Sequence, residues 1–175
     1  MNTIDTIMSR KSIRSYTGES ISDEELNTII EAGEAAPVGM GKFDACHITI
    51  IKDKALISEI DSAAAKMFGN PAAHPLYGAP IFVVVSANIP PQMDNVMFSS
   101  AAMIVHNMAL MATDMDIGSC DIWGAVRALN GDPAFVQKLN LPEGFVPCCG
   151  IILGKTNETF TKRDIDFNRI GKNEI

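Results

Sequence analysis

Positive charge is in short supply in this chain. Fourteen lysines and arginines stand against 21 acidic residues, a formal net charge of −7 and a pI near 4.9. General nucleic-acid binding needs a basic surface and is excluded on this balance. Docking on anionic membranes is disfavoured for the same reason. A local basic cluster can still hold one phosphate inside an acidic protein, so a nucleotide cofactor stays in play. Cysteine is also sparse: Cys46, Cys120, Cys148 and Cys149 form no Cys-x-x-Cys pair and lie inside apolar runs. Neighbours on a strand point to opposite faces, so a Cys148–Cys149 disulfide would be strained. Buried free thiols in a reducing, cytoplasmic setting are expected.

Other absences narrow the chemistry. His47, His74 and His106 are scattered, without the spacing of a zinc site, so no metal is expected. His106 sits in an apolar segment and reads as a core histidine. There is no Gly-x-Ser-x-Gly elbow, no P-loop and no Gly-x-Gly-x-x-Gly fingerprint. The opening MNTIDTIMSRKS lacks an apolar stretch of signal-peptide length, so no leader is expected. Residues 95–113 carry no Asp, Glu, Lys or Arg. A membrane span needs about 20 strongly apolar residues, and Ser99, Ser100, His106 and Asn107 make this stretch too polar. A buried central helix is the better reading. A chain with no side-chain catalytic set suits a protein whose cofactor carries the chemistry.

What is present points to one domain spanning 1–175, with 47% hydrophobic and 20% charged residues. Ile4, Ile7 and Met8 suggest a short helix over 3–8. Ser22 and Glu25 form a capping box ahead of Leu26, Ile29, Ile30 and Gly33, a helix that Pro37 and Gly39 end. Strands are expected over 46–51, 79–85 and 148–153, the second covered on both faces. Helices are expected over 53–68, 94–115, 123–129 and 133–139. The segment 94–115 is apolar at both 98-101-102-105 and 103-104-111, so burial nearly all round is expected. Strands and helices thus mix in an α+β sandwich. The tail from 155 to 175 has few apolar residues, and Phe167 and Ile170 read as strand residues needing cover, on this subunit or a partner's.

Three segments hold candidate binding residues. In extended chain Arg10, Ser12 and Arg14 share a face, beside Lys11 and Ile13. Two guanidiniums and a hydroxyl complement a phosphate; a solvated basic turn is the alternative that spacing alone leaves open. The glycines around Pro37-Val38-Gly39 allow close backbone approach to a ligand, or make a plain interhelix loop. Residues 117–124, IGSCDIWG, read as a junction between helices with exposed amides, and its lone Trp123 reads as a core residue.

The order of these motifs resembles the nitroreductase family of FMN enzymes. Arg10-x-Ser12-x-Arg14, Ser22 to Leu26 followed by Ala36-Pro37-Val38, His106-Asn107 with Ile117-Gly118-Ser119-Cys120, and Ile151 to Gly154 follow the family's sequence of elements. The resemblance implies a three-layer sandwich with a central, mainly antiparallel sheet and helices on both faces. It also implies an intertwined homodimer, the 155–175 tail crossing to the partner. FMN would be the cofactor and NADH or NADPH the electron donor. A nitroaromatic, quinone or similar small molecule would accept the electrons by a ping-pong route. Carried over by position, Arg10, Lys11 and Ser12 serve the phosphate or ribityl chain, and Arg14 the N1–C2 edge. Pro37, Val38 and Gly39 lie by the ring; Ile122, Trp123 and Gly124 offer amides near N5 and O4. Arg163 or Arg169 completes the phosphate site. The chain departs from the family at residues 39–44, GMGKFD, and at Lys155-Thr156. These departures leave the substrate pocket open, and with it the alternative of a flavin-binding or flavin-sequestering protein without efficient nicotinamide turnover.

Overall fold

Helix starts in this chain are written into single side chains. Ser22 caps α2 (Asp23–Glu34): its Oγ accepts the Glu25 N–H at 3.1 Å while the Glu25 carboxylate accepts the Ser22 N–H at 2.7 Å. Asp53 caps α3 (Lys54–Met67) through the Ala55 N–H, and Asn2 caps α1 (Thr3–Ser9) through the Asp5 N–H. The computed structural model describes residues 1–175. Its remaining elements are β1 (Cys46–Ile51), β2 (Ile81–Asn88), α4 (Asp94–Asp114), β3 (Gly118–Ile122), α5 (Gly124–Asn130), α6 (Pro133–Lys138) and β4 (Phe145–Gly154).

The four strands form one sheet in the order β1-β2-β4-β3, every neighbour antiparallel. Alternation along β2 divides the core. Ile81, Val83 and Val85 face α2 and α4, while Phe82 and Val84 face α3 and α5. Helices therefore cover both faces, and the architecture is the expected α+β three-layer sandwich. The continuous apolar run of β2 is buried on both sides along Ile81–Ala87, as its composition implied.

Three expectations need correction. Residues 118–122 are not a junction with exposed amides but strand β3, paired along β4 from Gly118↔Gly154 to Ile122↔Gly150. One glycine and two short polar residues hid a strand too short to show alternation. Helix α4 is not buried all round: Ala102, Met103 and His106 are exposed, and Phe98 is 45% exposed, so one side of this helix faces outward. It is long and apolar enough to cross a membrane by length and composition, yet it lies across the sheet with half of that window buried. Finally, a bulge at Val85/Ser86 pairs Val85 with Cys149 and Ser86 with Pro147, leaving Cys148 as the extra residue. The strict alternation of Cys148 and Cys149 is broken there, and both pack against the α2–α4 side of the core. All four cysteines are free thiols. Burial pushes Cys148 up to about 11 and Cys149 up to about 12, so both stay protonated at neutral pH.

Gly150, at the centre of β4, is required by close approach: a Cβ there would stand 2.6 Å from the Val83 carbonyl oxygen and 2.7 Å from the Phe82 ring. Backbone and a buried ring cannot yield cheaply. Gly150→Ala should therefore cost about 1–3 kcal/mol, read as a lowered midpoint of urea unfolding. Gly131→Ala, whose Cβ would find its nearest atom 3.4 Å away, should shift the same curve by no more than about 0.5 kcal/mol.

Candidate functional site

Helix α1 ends because Arg10 turns to φ −58°, ψ 127°, while its N–H still bonds the Thr6 carbonyl at 2.9 Å. The chain then runs extended along the outer edge of β3. There the Ile13 N–H donates to the Ser119 carbonyl at 2.8 Å and the Ile13 side chain is wholly buried. This anchor brings Arg10, Ser12 and Arg14 to bear on one place, the Cys120–Asp121 end of β3. Burial pushes the Cys120 thiol up, and the Ser12 hydroxyl with the Arg14 and Arg10 charges acts against it. Burial likewise raises the Asp121 carboxyl, opposed by Arg10 and then His106. Arg14 itself is exposed, its guanidinium carbon 5.9 Å from the centre of the Tyr77 ring.

The tail comes back to the same corner. Arg163 is stitched to the end of α1: its Nε donates to the Met8 carbonyl at 3.1 Å and its Nη2 to the Ile7 carbonyl at 3.0 Å. Burial lowers the Arg163 pKa, and the nearby charges of Arg10 and Arg169 lower it further. None of these three arginines has a carboxylate within ion-pair distance. Arg163 feels the charges of Arg10 and of Arg169, none of the three is ion-paired, and an anion with several oxygens relieves that repulsion. A phosphate monoester fits this donor set. Arg163 is the tail arginine tied directly to the end of α1, and Arg169 lies near Arg163.

Lys11 is not brought in. It pairs with Glu158 of the tail at 2.7 Å, which spends its charge. Along the second segment the residues part company. Val38 is in the core, and the Gly39 N–H donates to the Ser100 hydroxyl at 3.0 Å. A Cβ on Gly39 would lie 2.1 Å from Val96, so this glycine serves close packing rather than ligand approach. Pro37 alone stays on the surface, lining a cleft of about 530 Å³ with Met103, His106 and Asp121. A smaller cleft of about 130 Å³ shares Asp121 and runs on past Ile122 to Trp123.

At the end of β3, Ile122 is buried in the core, whereas Trp123 is 65% exposed and is not the core residue expected. Gly124 lies so close to Phe68 that a Cβ would meet its ring at 2.3 Å. The Trp123 and Gly124 N–H groups have no backbone acceptor, since the ladder stops at Ile122 and α5 has just begun. His106, read as a core histidine, is exposed beside Asp121. Sequence reasoning passed over Asp121, whose signal was a carboxylate set between apolar neighbours in Cys120-Asp121-Ile122. The tail residues Phe167 and Ile170 are not in a strand of this chain and stand 64% and 71% exposed.

The site thus offers a cationic corner at one end, a surface cleft with two free amides at the other, and the edge of β3 joining them. Comparison with known proteins bears on the fold and the family. The family model described as the nitroreductase family matches residues 7–155. A nitroreductase with bound FMN from Desulfitobacterium hafniense superposes with a TM-score of 0.85 at 27% identity, covering 99% of this chain and 100% of that one. One from Bacteroides fragilis, also with bound FMN, gives 0.83 at 27% identity over 99% and 100%. An FMN reductase [NAD(P)H] of Bacillus subtilis is 26% identical over 180 residues, 91% of this chain and 68% of that protein. With the fold, the order of motifs and the family model in accord, this chain belongs to the nitroreductase family.

Proposed function

We propose that the chain is an FMN-dependent oxidoreductase, passing electrons from NADH or NADPH to a nitroaromatic, a quinone or a similar small molecule by a ping-pong route. The observation that carries this reading is that the Ile13 tie to β3 and the Arg163 bonds to the end of α1 bring the 10–14 segment and the basic tail to one corner, where no arginine is ion-paired. The bound FMN of the two superposed structures and the name of the Bacillus relative support it. When bound, FMN supplies the redox chemistry, holding the donor's electrons until the acceptor takes its place.

The chain's own residues bind and orient. Arg10, Arg163 and Arg169 hold the phosphate, and Ser12 sits beside them on the same extended segment. Arg14 sets a positive charge toward the ring, which favours the reduced, anionic form. Trp123 and Gly124 present their free amides to the polar edge of the ring, and Pro37 closes the cleft from the α2 side. No side chain has to act as acid or base in this scheme. The exposed Phe98 and Met103 of α4, with Ile4 and Ile7 of α1, are the surfaces that a second copy covers. This reading therefore makes the protein a cytoplasmic homodimer. The end of the tail, after Arg169, is the segment that it sends across to the partner.

Purified protein should be yellow, with absorbance at flavin wavelengths equivalent to one FMN per chain. Anaerobic NADH or NADPH should bleach it promptly. A coloured protein that neither nucleotide bleaches would instead be a flavin-holding protein, and one that takes up no added FMN would end the reading. Light scattering during gel filtration should give twice the chain mass of 18.8 kDa. Arg10→Ala should weaken FMN binding about 10- to 100-fold, the worth of one hydrogen bond to a charged group, without lowering the urea midpoint of the FMN-free protein. Lys11→Ala, already paired with Glu158, should leave FMN affinity within about twofold.

A further inference from the structure

Several carboxylates of this chain are engaged. Asp61 accepts the Leu76 N–H at 2.7 Å, Asp114 holds the terminal ammonium, Glu25 holds Lys155 and Glu158 holds Lys11. Asp121 is different. Its carboxylate has no ion-pair partner and no hydrogen-bond donor within the chain. Its place is nonetheless fixed by the sheet, where it stands opposite Ile151 of β4. Cys120 and Ile122 on either side of it pack toward α3 and α5, so Asp121 points to the α4 side. There it lines the cleft of about 530 Å³ with Pro37, Met103 and His106, and the cleft of about 130 Å³ with Ile122 and Trp123. No other ionisable side chain lines both.

Four titratable groups face this carboxylate. Arg10 comes from the extended segment, His106 from α4, Cys120 from its own strand and Cys149 from β4. Both thiols are pushed up by burial, and the Asp121 charge pushes them the same way. Packing around the Asp121 carboxyl raises its pKa above the ordinary value, with Arg10 and then His106 acting against that rise. A second negative charge in the same cleft would raise it further, because a carboxylate beside a like charge holds its proton more tightly.

We propose that Asp121 is the proton-holding residue of the cleft, binding one proton when the flavin is reduced and releasing it when the flavin is reoxidised. The inference rests on the FMN reading and gives one of the chain's own side chains a part in it. The nicotinamide donor transfers a hydride, two electrons with one proton, and leaves as the oxidised nucleotide. One negative charge is thereby added to the cleft, and the Asp121 carboxylate takes a proton from water. A quinone needs two electrons and two protons to become a hydroquinone. A hydride from the flavin supplies both electrons and the first proton. Asp121 supplies the second and returns to its carboxylate form. Water can supply that proton too, so the scheme does not require Asp121; the carboxyl keeps the proton inside the cleft.

Spectroelectrochemical titration of the FMN-loaded protein, from mildly acidic to neutral pH, tests this. The slope of the midpoint potential against pH counts the protons bound per two electrons. Asp121 adds to the count only between its two pKa values, the lower with oxidised and the higher with reduced flavin. Below that window it is protonated in both states, and above it in neither. Where absorbance shows the reduced ring to be the anion, the protein should bind two protons inside the window and one above it. Asp121→Asn should bind one throughout, and Asp121→Glu should restore the second. His106→Gln removes an opposing positive charge, so the second proton should persist to higher pH. The proposal is overturned if the unaltered protein binds only one proton throughout, or if Asp121→Asn still binds two. It is also overturned if His106→Gln binds only one, which would make the imidazole the holder. Should Asp121→Asn fail to take up FMN, the unaltered protein and His106→Gln decide without it. A protein that takes up no FMN is colourless before any potential is applied. That result sinks the FMN reading and this proposal with it, whereas a wrong proton count sinks the proposal alone.

Discussion

The hydrogen bond from the Ile13 N–H to the Ser119 carbonyl, made with Ile13 wholly buried, is the tie on which the working half of the molecule depends. The bond alone contributes about 1 kcal/mol, and burying the isoleucine side chain about 1.5–3 kcal/mol. Together they clamp an otherwise irregular segment to the edge of β3. Arg10, Ser12 and Arg14 then have fixed positions around Cys120 and Asp121. The same clamp gives the tail something to lie on. The Thr17 N–H bonds the Lys155 carbonyl, the Thr156 hydroxyl bonds the Ser15 carbonyl, and Lys11 meets Glu158. Without the buried Ile13, the first sixteen residues and the tail would both lose their register.

The sheet explains why that edge was available. β2 and β4 are the inner strands and carry helices on both faces, so their sequences are nearly continuous apolar runs that are easy to read. β3 is an edge, five residues long, made of Gly118, Ser119, Cys120, Asp121 and Ile122. An edge needs only one side of its ladder satisfied by another strand. Its free side takes the Ile13 tie and then stops, leaving the Trp123 and Gly124 amides open. The strand that was hardest to see in the sequence is the one that builds the site.

Legibility followed physical cause elsewhere too. The capping box at Ser22–Glu25 and the long α4 pattern are local, and a local rule suffices to find them. The basic segment at residues 10–14 was visible as a phosphate candidate because alternation in extended chain is also local. What stayed hidden depended on contacts far apart in sequence. Lys11 is spent on Glu158, Gly39 is packed against Val96, and Arg163 bonds the carbonyls of Ile7 and Met8. His106 and Trp123 were misplaced for a related reason. Apolar neighbours suggest a core, yet His106 lies on the outward side of α4 and Trp123 just past the end of β3.

Arg163 joins two roles that would otherwise compete. Its Nε and Nη2 hold the tail to α1, and its charge adds to that of Arg10 and Arg169. Crowding three cations costs stability in the free chain, and the cost is felt at the residue that fixes the tail. An anion bound in that corner removes the repulsion and so favours the docked tail as well as the filled site. By linkage, whatever binds the folded corner and not the unfolded chain stabilises the fold in proportion to its affinity. If an anion binds there, tail order and anion binding are coupled through the Arg163 guanidinium.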